Sequence, residues 1–290
     1  MSILVTGASG NVGAYVVQSL LELNEEVVVA GTDVNKLQKM FGTAVKCVYL
    51  DFTKTETFET ATHAVDRVFL MRPPHLGRPE DLYPFIDHLK TKPIRLISFL
   101  SLMGIEKNTI PPHHKIEKNI EQAGLPYAHI RPGFFMQNIS GIHAQEICEE
   151  NLIYIPAGKS KTSFIDAKDI GLATATILHD DERYRNTAHT LTGSESLDYD
   201  QVAAILSEVT QRKIRYAQPS FFRYWIRYVF KRKLNLNYVN VTLALYLMTR
   251  LGTAKRITNT FFELTGREPR MFKAFASEHL ACFNPAKFVE

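Results

Sequence analysis

The feature that most constrains the fold of this chain is a glycine-rich turn at its beginning. The apolar run from Ile3 to Thr6 is followed by Gly7, Gly10 and Gly13 at the spacing G-x-x-G-x-x-G, and apolar residues then recur at helical spacing. Strand, tight turn and helix form the context in which such glycines bind a pyrophosphate. An ordinary βα turn that is rich in glycine is the alternative.

Each glycine of the turn has a separate expected role. Gly7 allows the sharp turn, Gly10 lets the backbone approach an anion, and Gly13 lets the helix pack closely on the strand. The amide groups of the turn and the positive end of the helix would then face the anion. The intervening residues of this predicted cradle are Ala8, Ser9, Asn11 and Val12.

Size, charge and cysteine content narrow the class of protein. A chain of 290 residues with 45% hydrophobic residues can bury a large core, and its net charge of +4 gives no argument for a nucleic-acid partner. Cys47, Cys148 and Cys282 lie far apart, which suits neither a disulfide framework nor a zinc site. The chain shows no leader segment and no apolar run of about 20 residues. These features predict a cytoplasmic protein without a transmembrane segment, and a homodimer is left open.

Strands and helices are expected to alternate over the first half of the chain. Apolar runs at Glu26–Gly31, Ala44–Leu50, Arg67–Met71, Ile94–Ser101 and Tyr127–Arg131 are separated by segments of helical spacing. This order predicts an α/β fold with a parallel sheet and right-handed crossovers. Ligands of such sheets bind at the carboxyl ends of the strands, so the residues just past each strand are the candidate site positions.

Acidic and basic residues past the second and third strands are candidates for the adenosine half of a dinucleotide. Asp33 lies about 20 positions after the last glycine, where an acid often holds the ribose of NAD; it is equally readable as a helix-start residue. Lys36 is one turn further and would reach a 2′-phosphate, unless it is a solvated surface lysine. Asp51, next to Phe52, is placed to accept a hydrogen bond from adenine. Past the fourth strand, Met71, Arg72 and Pro73 lie where the dinucleotide should run.

Stretches along almost the whole chain resemble the NmrA-like group of atypical short-chain dehydrogenase/reductases, which includes type-2 quinone oxidoreductases and triphenylmethane reductases. The segments that carry the resemblance are Thr6–Gly13, Leu50–Phe52, Phe69–Pro74, His113–Glu117, Gly124–Tyr127, Arg131–Asn138, Ile155–Gly158, Ser163–Ile170, Leu191–Gly193 and Leu264–Arg270. The resemblance implies a Rossmann-type doubly wound NAD(P)-binding domain with a smaller α/β C-terminal substrate lobe. We place the first at residues 1–140 plus about 162–192, and the second at 141–161 and 193–290.

Two departures limit what the resemblance implies. Relatives that use NADPH place an arginine just after the second strand, where this chain has Thr32, so NADPH is favoured by the family but NADH stays open. The Tyr-x-x-x-Lys pair of most short-chain dehydrogenases would fall near Thr109 and His113 and is absent. NmrA-like members generally lack this pair too.

Candidate catalytic and substrate residues follow the fifth and sixth strands. Ser101 resembles the active-site serine of the family, or it caps a turn. His113 is the candidate proton donor because an unperturbed imidazole has a pKa near neutral; the alternative is a surface histidine. The residues after the sixth strand are expected at the nicotinamide end (Pro132, Gly133, Phe134) and in the substrate pocket (Phe135, Asn138), although the phenylalanines would also suit packing under the lobe.

The segment Phe221–Lys233 is both aromatic and basic. At helical spacing Arg223, Arg227 and Lys231 share one stripe, with Phe222, Trp225 and Tyr228 turned away from it. A helix lying on a membrane surface has this pattern. We favour a lid, whose aromatic face would cover a pocket while its basic face is solvated.

The sequence therefore predicts an NAD(P)H-dependent oxidoreductase that reduces a small conjugated acceptor such as a quinone or dye. Such an acceptor delocalises the charge that hydride transfer brings, so the missing tyrosine matters less than for a ketone. The rival prediction is a regulator of the NmrA type that binds NAD(P) and a partner protein without turnover. Sugar-nucleotide epimerisation is disfavoured because it needs the Tyr/Lys pair.

Overall fold

The computed structural model describes residues 1–284, and the chain forms two compact units. Unit 1 comprises Met1–Pro132, Ala167–Leu191 and Thr260–Arg267. Unit 2 comprises Gly133–Asp166, Thr192–Asn259 and the chain from Glu268 onward. These units are defined by compactness alone, so the domain bounds given above stay a prediction.

Unit 1 is built on a seven-stranded parallel sheet. Its strands are β1 (Ser2–Thr6), β2 (Val27–Gly31), β3 (Lys46–Tyr49), β4 (Val65–Met71), β5 (Leu96–Leu100), β6 (Tyr127–Pro132) and β10 (Thr187–Leu191). Its helices are α1 (Asn11–Glu22), α2 (Val34–Phe41), α3 (Phe58–Ala61), α4 (Tyr83–Leu89), α5 (Pro112–Gln122), α8 (Ala167–His179) and α12 (Thr260–Thr265). The order across the sheet is β3-β2-β1-β4-β5-β6-β10, and every neighbouring pair is parallel. The predicted doubly wound α/β fold is confirmed.

The central strands β1, β4 and β5 are mostly apolar because both faces of the sheet are covered there. Every residue of β1 and β5 is buried, as is β4 up to Leu70. Helices supply the covering layers, as a parallel sheet with crossover connections requires. The strand order reverses between β1 and β4, since β2 and β3 lie on one side and β4, β5 and β6 on the other. A crevice for a ligand opens at this switch point in folds of this class.

Unit 2 is a smaller assembly of helices and short strands. The strands are β7 (Phe134–Phe135) paired with β9 (Phe164–Ile165), and β8 (Leu152–Ile153) paired with β11 (Arg215–Tyr216). The helices are α6 (Gln137–Ser140), α7 (Ala144–Glu150), α9 (Tyr199–Thr210), α10 (Phe221–Ile226), α11 (Leu236–Arg250) and α13 (Phe272–Glu278), with a π-helical turn at Arg227–Lys231. Among the described residues, no helix is long and apolar enough to cross a membrane.

The segment Phe221–Lys233 does not separate into the two predicted faces. Tyr228 is buried in the core of unit 2, whereas Phe222 is exposed. Arg227 is not solvated on an open face, because its guanidinium bonds Glu146 and Glu150. The predicted split between a covering aromatic face and a solvated basic face is wrong, because the aromatic side chains divide between core and surface and Arg227 is held in ion pairs.

Candidate functional site

The glycine-rich turn has the geometry that its spacing predicts. Gly7 has φ +63°, which favours glycine, and it accepts a hydrogen bond from the amide of Gly10 at 2.9 Å. A Cβ on Gly13 would lie 2.2 Å from the carbonyl oxygen of Gly7, so only glycine allows this approach of helix to turn. Gly10 precedes α1 and offers no side-chain cap, which leaves the first amides of the helix for another acceptor. Ser9 and Asn11 are exposed, while Ala8 and Val12 are buried.

The carboxyl ends of β1 and β4 are joined by the hydroxyl of Thr6. This hydroxyl donates to the carbonyl oxygen of Phe69 at 3.0 Å and accepts from the amide of Met71 at 2.9 Å. The bonds fix the two strand ends on either side of the switch point. The terminal methyl group of Met71 lies against Gly7, at the place where a Cβ would stand. Because a methionine side chain is flexible, this contact does not hold the turn rigidly.

The residues past β2 are all at the surface. Asp33 is the N-cap of α2, and its Oδ1 accepts a hydrogen bond from the amide of Lys36 at 2.9 Å. The helix-start alternative is therefore present, and it occupies one oxygen of the carboxylate. Thr32 and the Lys36 side chain are exposed. Their predicted contact with a ribose or a 2′-phosphate stays a prediction.

Past β3, Asp51 and Phe52 have different environments. Asp51 accepts hydrogen bonds from the hydroxyl and the amide of Thr53 at 2.7 and 3.0 Å, and these bonds hold the pKa of its carboxyl below the usual value. The carboxylate is thus charged and oriented, as an acceptor for adenine would have to be. The ring of Phe52 packs on Phe85 in the core, with ring centroids 5.1 Å apart. Its side chain is a core residue, so only its backbone remains for a cofactor contact.

Two buried polar atoms without a hydrogen bond to a described residue lie past β4 and at the start of α5. They are Nε of Arg72 and Nδ1 of His113. The Ser101 hydroxyl, past β5, is also buried, but it lies against the carboxylate of Glu117. Arg72 is held in the loop after β4 by donating to the carbonyl oxygens of Pro73 and Leu76. The positive charge of Arg72 acts on the imidazole of His113 and lowers its pKa. Buried polar atoms are nearly always satisfied in folded proteins, so a group of them marks a place for a ligand.

His113 does not have the pKa on which its predicted role rests. Burial, together with the charge of Arg72, lowers the pKa of His113 to about 4. The imidazole is therefore neutral at neutral pH, and donation of a proton from an imidazolium is not available there. A neutral imidazole still offers one N–H donor and one acceptor. The low pKa of His113 could not be predicted from the sequence, because it depends on burial and on Arg72, which is 41 positions away in the chain.

The charge of Arg72 gives a direct test of this arrangement. In Arg72→Gln we expect the pKa of His113 to rise, while staying below its ordinary value because burial remains. The measurement is an NMR titration of the imidazole carbon-bound protons. Arg78→Gln is the control, because within residues 1–284 the exposed Arg78 forms an ion pair with Asp81 alone. An unchanged pKa of His113 in Arg72→Gln would contradict the proposed contact.

A buried ion pair beneath this group was not predicted from the sequence. Arg131 donates from Nε and Nη2 to the two oxygens of Glu117 at 3.0 and 2.6 Å. Burial raises the pKa of Glu117, but the bonds from Arg131, the neighbouring His129 and the Ser101 hydroxyl together outweigh it, and the pKa is lowered. The hydroxyl of Ser101 lies near this carboxylate and contributes to the lowering. The available signal was a charged residue, Arg131, near the end of a largely buried strand.

Helix α5, which carries Glu117, also brings the carboxylate of Glu121 close to His129 on β6. Side-chain atoms of Glu117, Glu121 and His129 lie within 4.8 Å of one another, a spacing that metal ligands also show. Both oxygens of Glu117 are already bonded to Arg131, and Nε2 of His129 lies 3.3 Å from Glu121. These contacts favour a network internal to the protein.

The remaining predicted site residues divide between the units. Pro132 ends β6 in unit 1, and its carbonyl oxygen accepts from the amide of Met103 at 3.0 Å. Gly133, Phe134, Phe135 and Asn138 belong to unit 2. Within unit 2 the ring of Phe134 stacks on Tyr246, with centroids 6.2 Å apart. Phe135 is half-buried and Asn138 is exposed, and their roles in a substrate pocket stay predictions.

A buried histidine lies beyond Phe134 in unit 2. The ring nitrogens of His143 are 3.0 Å from the hydroxyl of Tyr228 and 2.8 Å from that of Tyr246. Burial and the charge of Arg232 lower the pKa of His143 to about 3, so the ring is neutral. One tyrosine therefore donates to this histidine and the other accepts from it.

Comparison with known proteins agrees with the family that the sequence resembles. The model of the NmrA-like family matches residues 1–240. Prestalk A differentiation protein A of Dictyostelium discoideum is 30% identical over 96% of this chain and 92% of its own length. An NAD(P)H azoreductase of Xenophilus azovorans is 28% identical over 98% of this chain and its full length.

A solved structure shows the same fold at lower identity. An NADPH-dependent quinone oxidoreductase from Escherichia coli, solved with NADPH, aligns with a TM-score of 0.87 at 20% identity. The alignment covers 96% of this chain and 99% of that one. At this identity the likeness establishes the fold alone.

Proposed function

Since the chain belongs to the NmrA-like family, we propose that it is an NAD(P)H-dependent oxidoreductase that transfers hydride to a small conjugated acceptor such as a quinone or dye. The observation that carries the proposal is the pair of buried polar atoms without a hydrogen bond to a described residue, on Arg72 and His113, in the unit that also contains the glycine-rich turn. The names of several similar proteins, among them an azoreductase, also support a reductase.

The residues of unit 1 fit a nicotinamide dinucleotide. The turn from Gly7 to Gly13 brings backbone amides together where any side chain at position 13 would collide, which suits a diphosphate. Asp51 offers an oriented carboxylate for the adenine, and Asp33 has one oxygen outside its helix cap. A bound nicotinamide supplies the hydride chemistry. The chain supplies the binding surface and the groups that orient the acceptor.

The polar group past β4 and β5 suits an acceptor that gains negative charge. The guanidinium of Arg72 is a permanent donor beside a neutral imidazole, and the Ser101 hydroxyl adds a further polar atom. Donors placed where charge develops stabilise it without moving a proton. A quinone or dye spreads the charge over its conjugated system, so a neutral His113 is sufficient as a hydrogen-bonding group. In this role His113 is a hydrogen-bonding group, and not the proton donor expected from the sequence.

Turnover with a panel of acceptors tests the proposal. Purified protein is mixed with NADH or NADPH and a series of quinones and azo dyes, and nicotinamide absorbance is followed. We expect consumption of the reduced cofactor, and a kcat about 100-fold lower in His113→Ala, the usual size for a lost polarising donor. His63→Ala, which changes an exposed histidine, is the matched control.

The same experiment distinguishes the proposed reductase from the rival function, a regulator that binds NAD(P) without turnover. Tight binding of the dinucleotide, measured by calorimetry with NADH and with NADPH, combined with no consumption across the panel would favour a regulator that senses the cofactor. The two titrations also decide which cofactor is preferred.

A further inference from the structure

Helix α11 in unit 2 is apolar on two opposite sides. Val239 and Tyr246 are buried in the core of the unit. Val241, Leu245 and Met248 project away from that side and are exposed, Val241 by 61%. A helix that is apolar all round is normally covered all round. Within the described residues, the outer side of α11 is uncovered.

The neighbouring helical segment exposes a second apolar stripe. In the stretch of α10 and the π-helical turn, Tyr224 and Tyr228 are buried and stack on each other. Phe222, Ile226 and Phe230, spaced four residues apart, are exposed, the two phenylalanines by 69% and 66%. Exposed large apolar side chains that lie together mark an interaction site rather than ordinary surface.

Trp225 connects the two stripes. Its ring contacts that of Phe230 edge-on, with centroids 5.7 Å apart, and its indole N–H donates to Oδ1 of Asn240 on α11 at 3.2 Å. A tryptophan with one apolar and one polar contact is the side chain that prefers a membrane–water interface. We call the exposed residues of the α10, π-helical and α11 segments, from Phe222 to Leu251, the outer helical surface.

The part of the chain that contains the outer helical surface carries charges of one sign only. Between Val209 and Asn259 the chain carries eleven lysines and arginines and no aspartate or glutamate. Since the net charge of the whole protein is +4, all other residues together carry −7. Arg227 and Arg232 are paired with Glu146. The exposed Arg223, Lys233 and Arg256 form no ion pair with any described residue, so their charge is directed at solvent.

The combination of exposed apolar and basic residues on the outer helical surface, without acidic residues, favours one kind of partner. An interface of anionic lipids takes apolar side chains into the acyl boundary while lysines and arginines contact the headgroups. A second copy would bring an equal positive charge to the contact. A nucleic acid would leave the aliphatic side chains of α11 without a role. We propose that the outer helical surface binds lipid bilayers that contain anionic lipids, as a peripheral contact.

Vesicle binding by the purified chain tests this without cofactor or turnover, so it is separate from the proposed function. The probes are vesicles of phosphatidylcholine alone and vesicles with about one third phosphatidylglycerol. We expect partitioning onto the anionic vesicles at least about tenfold stronger than onto the neutral ones, weakening as salt is raised. The fluorescence of Trp225, the only tryptophan, should shift to the blue on binding.

Matched variants locate the contact. Phe222→Ser with Val241→Ser should weaken anionic-vesicle binding about tenfold or more, because two exposed apolar side chains no longer enter the interface. Ile110→Ser, at an 89% exposed position in unit 1, should leave it unchanged. Lys233→Glu should weaken binding, whereas Lys39→Glu should not. All five substituted positions are exposed, so folding is expected to persist.

Three results would overturn the proposal. They are no binding to anionic vesicles, equal binding to neutral vesicles, or equal weakening by Ile110→Ser. If light scattering then showed a dimer that Phe222→Ser and Val241→Ser dissociate, the outer helical surface would instead belong to contact between copies of the chain.

Discussion

Replacing Gly13 with alanine is expected to weaken binding of a nicotinamide dinucleotide by at least about 100-fold, or about 2.7 kcal/mol. The added Cβ would lie 2.2 Å from the carbonyl oxygen and 2.7 Å from the carbonyl carbon of Gly7, and 2.9 Å from Cα of Ala8. All three are backbone atoms, so no side-chain rotation relieves the collision. Either the turn or the start of α1 must move, and the amides that would hold the diphosphate move with it.

Calorimetry with NADH and NADPH measures the effect. Gly77→Ala is the control, because a Cβ at that position meets no atom within 4 Å. Circular dichroism separates loss of binding from loss of fold, since crowding in a packed region also costs about 1 to 3 kcal/mol of stability. A folded Gly13→Ala protein with unchanged affinity would place the dinucleotide elsewhere.

Stability is expected to fall steeply as the pH is lowered from about 6 to about 4. His113 and His143 have native pKa values of about 4 and about 3, both below the ordinary value, chiefly because of burial. Through most of this pH range both rings are neutral in the native state and protonated in the unfolded state, and only near pH 4 does His113 begin to bind its proton in the native state. The unfolded state therefore binds two more protons, and the free energy of unfolding drops by about 2.7 kcal/mol per pH unit. Over two units the loss of about 5 kcal/mol is comparable with the whole stability of many domains.

Urea unfolding at a series of pH values, followed by circular dichroism, tests the sign and size of this dependence. In His113→Asn one of the two protons is removed, so the slope should flatten by about 1.4 kcal/mol per pH unit. His63→Asn changes an exposed histidine and serves as the control. Equal slopes for His113→Asn and the parent protein would show that His113 is not held neutral by the fold. Because the chain has two compact units, the transition of each should be followed by its own probe, with Trp225 reporting on unit 2.

The His113 result also changes how the site is understood. From the sequence, a histidine at a helix start suggests a proton donor, whereas the structure favours a neutral hydrogen-bonding group beside the fixed charge of Arg72. A site of this kind selects acceptors that need no strong acid. That property agrees with the absence of the Tyr-x-x-x-Lys pair, on which the choice of a quinone or dye already rested.

Local sequence was sufficient for the fold of unit 1 and for the glycine-rich turn. Strand periodicity, helical spacing and the three glycines are properties of neighbouring residues, and the backbone responds to them locally. The seven-stranded parallel sheet and the close contact of Gly13 with Gly7 follow from those patterns. For Asp33 the helix-start alternative is present, since its carboxylate accepts from the amide of Lys36, and its contact with a ribose stays a prediction.

Tertiary structure alone decided the charge states and the exposed faces. The pKa of His113 depends on burial and on Arg72, and the pairing of Glu117 with Arg131 joins a helix to a strand end. Phe222 is exposed whereas Tyr228 is buried, and this difference depends on how the segment packs on the core of unit 2, which helical spacing does not reveal. Desolvation and ion pairing act between residues that are distant in the chain. The sequence by itself therefore determined the parallel sheet and the glycine-rich turn at its carboxyl edge, and the packing determined which groups near them are charged, neutral or open to solvent.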